Sequence, residues 1–187
     1  MEIKEYQKLA LERLNPNIAK KDNESMRFCC MGLMEETGEV IAELRKPLYK
    51  GNYHEKALDK EAIKKELGDL IWYMALACRN NDIDINNILH KENKENIFDR
   101  EKIIKRTIKM GRQSGIISKR YIEYSKGKTT KEKLEKSLKR QYKNILKVCS
   151  MLDISINSIL ETNIEKVTSR YDKDGRAKLG GEDDERE

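Results

Sequence analysis

GLMEETGEVIAELRK at 32–46 and KKELGDLIWYMALAC at 64–78 decide the fold class of this chain. Leu33, Val40, Ile41 and Leu44 in the first, and Leu67, Leu70, Ile71 and Met74 in the second, recur at the spacing of one buried α-helical face. Each stretch also carries two acids three residues apart, Glu36 with Glu39 and Glu66 with Asp69. On a helix that spacing puts both carboxylates on one side, about one turn apart. A solvated acidic face is the plain alternative, because 39% of the chain is charged and glutamate is a good helix former. The apolar residues beside the acids weigh against it, since a carboxylate next to a buried stripe needs a partner or a metal. Hard divalent cations such as Mg²⁺ and Mn²⁺ take oxygen ligands and are held by carboxylates plus substrate phosphates. The first expectation is therefore a cation site for phosphate chemistry on a pair of helices. Gly38 and Gly68 fall inside the acid pairs, where glycine costs helix stability and calls for a packing reason. Both are expected to let the two helices approach closely enough to share ions.

The rest of the chain reads as helices too. They are expected over residues 2–14, 25–46, 59–79, 99–125, 130–151 and 155–171, with a short one at 84–91. Ser25 and Asp59 stand as N-caps, Pro47 as a stop and Asn80-Asn81-Asp82 as a turn. The stretch 48–57 reads as a loop from which Lys50 and His54 reach toward phosphate. The tail 172–187, ending GGEDDERE, is expected to be disordered. Only 6% of residues are aromatic and two are proline, a helix-bundle composition with few strand signals. No apolar run is long enough to cross a membrane, and the charged amphipathic start is unlike a secretory leader. Cys29, Cys30, Cys78 and Cys149 show no CxxC spacing, and His54 and His90 lie in polar stretches, so a zinc site or disulfide framework is not expected. A reducing, cytoplasmic location follows as the expectation.

The runs EYQKLAL (5–11), GLMEETGEVIAELRK, KKELGDLIWYMALAC and NIEKVTSRY (163–171), in that order, resemble the MazG-like nucleoside triphosphate pyrophosphohydrolases. The ExxE…ExxD signature of that family appears as Glu36, Glu39, Glu66 and Asp69, and its NxxKxxxR as Asn163, Lys166 and Arg170, followed by Tyr171. The likeness covers residues 1–89 and about 160–171. It implies an all-α fold, four acids holding Mg²⁺ (Mn²⁺ as a substitute), and cleavage of a nucleoside triphosphate to monophosphate and pyrophosphate. Lys166 and Arg170 would then stabilise the leaving pyrophosphate, and Glu35, one turn before Glu39, would complete a ligand set, act as base or remain an exposed acid. Asn163 would bind phosphate or sugar, or cap a helix. Trp72 would stack on a base or fill the core.

Between residues 90 and 160 the chain departs from short family members. CRNNDIDINNIL at 78–89 and CSMLDISINSIL at 149–160 agree at seven of twelve positions with an offset of 71, the mark of a duplicated unit. Applied to the four acids, the offset gives Thr107, Met110, Ser137 and Arg140. The second copy would be metal-dead and would supply a packing partner, making a pseudo-dimeric four-helix core. The expected organisation is a catalytic half at 1–92 and a degenerate copy with the C-terminal motif at 93–171.

Residues 91–147 hold 19 Lys+Arg and 7 Asp+Glu, a balance of +12, which leaves −6 for the remainder of a +6 chain. A basic half beside an acidic site can steer a triphosphate, or is simply a lysine-rich solvated surface. Two rivals to the enzyme reading are a helical module binding nucleic acid through 91–147, and an interaction protein that kept the fold without the activity. The intact four-acid signature argues against the latter. The expected partner is the nucleotide, with no membrane, nucleic acid disfavoured and a homo-oligomer open.

Overall fold

Asp22, Asp59 and Asp99 each precede a long helix and turn a carboxylate onto its first free amides. They accept from Ser25 N at 2.8 Å, Ala62 N at 2.9 Å and Lys102 N at 3.0 Å. Such caps satisfy donors that the helix itself leaves orphaned. The computed structural model describes residues 1–16, 18–49, 57–90, 97–172, 175, 176 and 178. Among these there are six α-helices and no strand element: α1 Ile3–Glu12, α2 Asn23–Leu48, α3 Lys60–Asn80, α4 Arg100–Ser125, α5 Lys131–Leu152 and α6 Ile156–Arg170. The chain is all-α, as the periodicity requires.

Helix α3 is the centre. Ile63, Leu67, Leu70, Ile71, Met74 and Ala75 to Cys78 are all fully buried, so apolar residues run most of the way round it. A helix of that kind must be covered on several sides. It packs on α2 and α5 on one side and on α1 and α6 on the other, while α4 closes a four-helix ring by touching α2 and α5. Residues 97–152 are thus built into the core and form no separate arm. One polar bridge crosses the ring, where Gln141 Nε2 donates to Thr37 Oγ1 at 3.2 Å.

Helices α3 and α5 begin 71 residues apart, at 60 and 131. Their ends correspond as well, since Asp82 (φ 50°) and Asp153 (φ 55°) both take the left-handed conformation. Aspartate tolerates that region because its short side chain bonds locally. Where the first pair of helices carries acids, the second carries buried Thr107, Met110 and Ser137 and exposed Arg140. Thr107 and Ser137 spend their hydroxyls on carbonyls of their own helices, at 2.9 and 3.0 Å.

Several local expectations change. The cap of α2 is Asp22 rather than Ser25, which sits at the third helical position and donates its hydroxyl to Ile18 O at 2.6 Å. Pro47 lies inside the last turn, where it forfeits only its own amide bond, and the helix ends one residue later. The helix expected at 84–91 is a single 3-10 turn, Ile85–Asn87, pinned by the buried side chains of Ile85, Ile88 and Leu89. Of the tail, Lys178 N donates to Arg170 O and Asp172 N to Arg176 O, both at 2.9 Å, so this part folds back against the end of α6. Lys50, His54 and the GGEDDERE terminus lie outside the described residues.

Candidate active site

Three of the four signature acids converge. Glu36 and Glu39 on α2 face Glu66 on α3, and one carboxylate oxygen from each lies within 4.8 Å of the others. All three are half-buried, and Glu36 Oε2 is buried without a hydrogen-bond partner. Burial, and then the charges of Asp69, Glu39 and Glu66, push the Glu36 carboxyl up to about 8. Burial and a hydrogen bond that protonated Glu66 donates to the Glu39 carboxylate lift Glu66 to about 7. These effects penalise the charged form, and a divalent cation among the carboxylates would offset them. An orphaned buried oxygen among three converging carboxylates is a donor set that fits a hard cation.

Asp69 sits differently. Its Oδ1 accepts from Asn163 Nδ2 at 3.0 Å, and its Oδ2 is ion-paired with Lys166. Burial raises its carboxyl above the usual range against the pull of Lys166, so desolvation outweighs the pairing. Asn163, Lys166, Val167 and Arg170 recur at i, i+3, i+4 and i+7 on α6, which aims them all along one face. Asn163 neither caps a helix nor faces solvent. It is 1% exposed, and its Oδ1 accepts the Tyr6 hydroxyl of α1 at 2.8 Å.

The glycines divide in a way the sequence did not announce. A Cβ on Gly68 would fall 2.9 Å from Asn163 Cβ, so this glycine admits α6 rather than α2. Gly38 faces open space. The close approach between α2 and α3 is made instead at Gly32, over which the Tyr73 ring lies.

A cleft of about 570 Å³ opens beside the acids, within the size range of small-molecule sites. Its polar lining includes Glu35, Glu36, Asp69, Lys166 and Arg170, and its apolar wall includes Phe28, Trp72, Tyr73 and Ile18. Trp72 is fixed, with its indole N–H donating to Ala10 O at 2.8 Å and its ring edge-on to Tyr73 at 4.9 Å. It therefore serves packing and the cleft wall together. Tyr171 also lines the cleft, and its carbonyl accepts from Arg13 Nη1 at 2.8 Å. Glu35 is exposed at the mouth.

Tyr6, Arg13, Phe28 and Gly32 were not legible as site residues. Tyr6 reads as one more apolar position of α1, in register with Ile3 and Ala10. The basic excess of 91–147 lies on the outer faces of α4 and α5, where Lys105, Lys109, Arg112, Lys133, Lys136, Arg140 and Lys143 are exposed. Among the described residues no helix is long and apolar enough to cross a membrane. Residues 24–107 match the family model described as MazG nucleotide pyrophosphohydrolase domain. No curated protein and no solved structure matches the chain.

Proposed function

We propose that this chain, in which residues 24–107 match the MazG nucleotide pyrophosphohydrolase domain model, is a Mg²⁺-dependent enzyme splitting a nucleoside triphosphate between its α and β phosphates. The observation that carries this reading is the convergence of Glu36, Glu39 and Glu66 beside a cleft that also holds Lys166 and Arg170. Anionic ligands for a cation and cationic groups for phosphate share one opening with an aromatic wall broad enough for a base. Mg²⁺ held by the three glutamates, with Mn²⁺ as a substitute, would supply Lewis-acid polarisation of the phosphate and a more acidic water.

The chain's own residues do the rest. Trp72, Tyr73 and Phe28 offer an apolar wall on which the base rests, and Trp72 is already held by Ala10. Glu35, exposed and adjacent in sequence to Glu36, takes the proton from the attacking water. As the bond from the α phosphorus to its bridging oxygen breaks, Lys166 and Arg170 stabilise the charge gathering on pyrophosphate. Asn163 holds the middle of α6 in place through Tyr6, and Tyr171 holds its end through Arg13.

Purified protein with Mg²⁺ should release pyrophosphate and a monophosphate from at least one nucleotide in a panel of canonical and modified (deoxy)nucleoside triphosphates. Release of orthophosphate with a diphosphate would overturn the assigned cleavage position.

The helix pair α4–α5 serves in this reading as an inert second copy, which gives α2 and α3 the packing surface they lack alone. The matching helix starts and the paired turns at Asp82 and Asp153 support it. Arg140→Ala, at the counterpart of Asp69, should therefore leave pyrophosphate release within about twofold of the parent, as exposed substitutions remote from a site do. A loss of tenfold or more would give the second copy a part in the chemistry.

A further inference from the structure

Asp69 belongs to the acid signature, yet both of its oxygens are already engaged. Asn163 takes Oδ1 and Lys166 takes Oδ2, so the tight set of converging oxygens contains only the three glutamates. The two partners are held very differently. Asn163 is locked: its Oδ1 accepts from Tyr6, which is 0% exposed, and its Cβ rests where any side chain on residue 68 would stand. Its amide cannot flip, because that would turn an oxygen onto the carboxylate. Lys166 has no such lock. Its ammonium ends a flexible four-carbon stem, lines the cleft, and keeps 17% of its side chain exposed.

We propose that Lys166 is a resident cation holding the place of a divalent ion at Asp69, which becomes a metal ligand only when a nucleoside triphosphate draws the ammonium away. The identity of the ligand rests on the pyrophosphohydrolase reading; the lock itself does not. An ammonium on a long stem is a well-suited phosphate donor, and a triphosphate outcompetes one carboxylate for it. Once Lys166 leaves, Oδ2 is bare and half-buried beside three other acids, an arrangement that is costly until a cation compensates it. A divalent ion riding on the nucleotide does so. The first ion therefore sits at Glu36, Glu39 and Glu66 without nucleotide, and the second binds together with the nucleotide, each raising the affinity of the other.

The test counts Mn²⁺ bound to the full chain by the electron paramagnetic resonance of the free ion. Without nucleotide the parent should bind one ion per chain and Lys166→Met two, with Asp69→Asn in that background restoring one. Lys166→Gln, which keeps a donor for Asp69 without the charge, should also gain the second ion and stands in if Lys166→Met does not fold. Asp69→Asn in the parent should still bind one ion per chain without nucleotide. The same substitution should weaken binding of the Mn²⁺ complex of an α,β-imido nucleoside triphosphate by about tenfold or more. A parent that binds two ions without nucleotide, or lysine variants that gain none, would overturn the lock. Should the imido nucleotide bind to no form of the chain, the pyrophosphohydrolase reading fails, while the nucleotide-free ion counts still decide the lock.

Discussion

Glu36→Gln should lower pyrophosphate release by at least about a hundredfold, the upper range for loss of even an outer metal partner. The substitution keeps volume and removes only the charge. Its side chain is the one in the acid set with an oxygen buried and unpartnered, so no other ligand compensates for it. The variant should at the same time be at least as stable as the parent without metal, by a margin that grows with pH. The sign follows from linkage. The folded carboxyl is raised to about 8 by burial and by neighbouring acids, against a lower ordinary value in the unfolded chain. Between those values the folded state holds the extra proton, so parent stability falls as pH rises from about 4.5 to 8. Glutamine does not titrate and escapes that part of the decline. Melting curves of both proteins in a chelator, at pH 5 and at pH 9, should nearly coincide at the first and separate at the second, with the variant higher. Added Mg²⁺ should reverse the order at pH 9. Retention of more than about a tenth of the activity would exclude Glu36 as an essential ligand.

Gly32→Ala should be the most damaging small change on α2. The new methyl would stand 2.1, 2.2 and 2.6 Å from three atoms of the Tyr73 ring. The ring cannot yield by a few tenths of an ångström, because Phe28 lies against it at 5.6 Å and Trp72 at 4.9 Å between ring centres. It must leave its place, and overpacking of this kind costs about 1–3 kcal/mol. In a chain of this size each kcal/mol lowers the melting temperature by about 2–4 °C. Displacing Tyr73 also removes part of the cleft wall, so the KM for nucleotide should rise more than kcat falls. Gly38→Ala is the control on the same helix. Nothing stands within 4 Å of its added methyl, so it should gain about 0.5–1 kcal/mol from better helix propensity. Combining Gly32→Ala with Tyr73→Ala should cost less than the two singly, since the second change removes what the first collides with. Equal melting temperatures for Gly32→Ala and Gly38→Ala would show that the Tyr73 ring is not held over α2.

Much of this site could be read from a single strand of letters. Helix existence followed from apolar spacing, and the cap at Asp59 from a carboxylate just before its apolar run. That Glu36 and Glu39 share one face of α2 was legible because i, i+3 on one helix is fixed by backbone geometry alone. The misreadings share one cause. Gly38 and Gly68 looked equivalent by position, yet one faces open space and the other faces Asn163. Periodicity says that a face is covered without saying by which helix.

The sequence by itself determined the all-α class, the placement of acids on α2 and α3, and the alignment of Asn163, Lys166 and Arg170 on one side of α6, because each is a property of neighbours within a few turns. Only the tertiary structure decided that α6 lies against α3 at Gly68, that Tyr6 anchors Asn163 from the far end of the chain, and that Asp69 answers to Lys166 rather than joining the glutamates. Those contacts join residues 94 to 157 positions apart. At such separations the partner is chosen by how whole helices fill the space around α3, and the local pattern of any one segment does not record it.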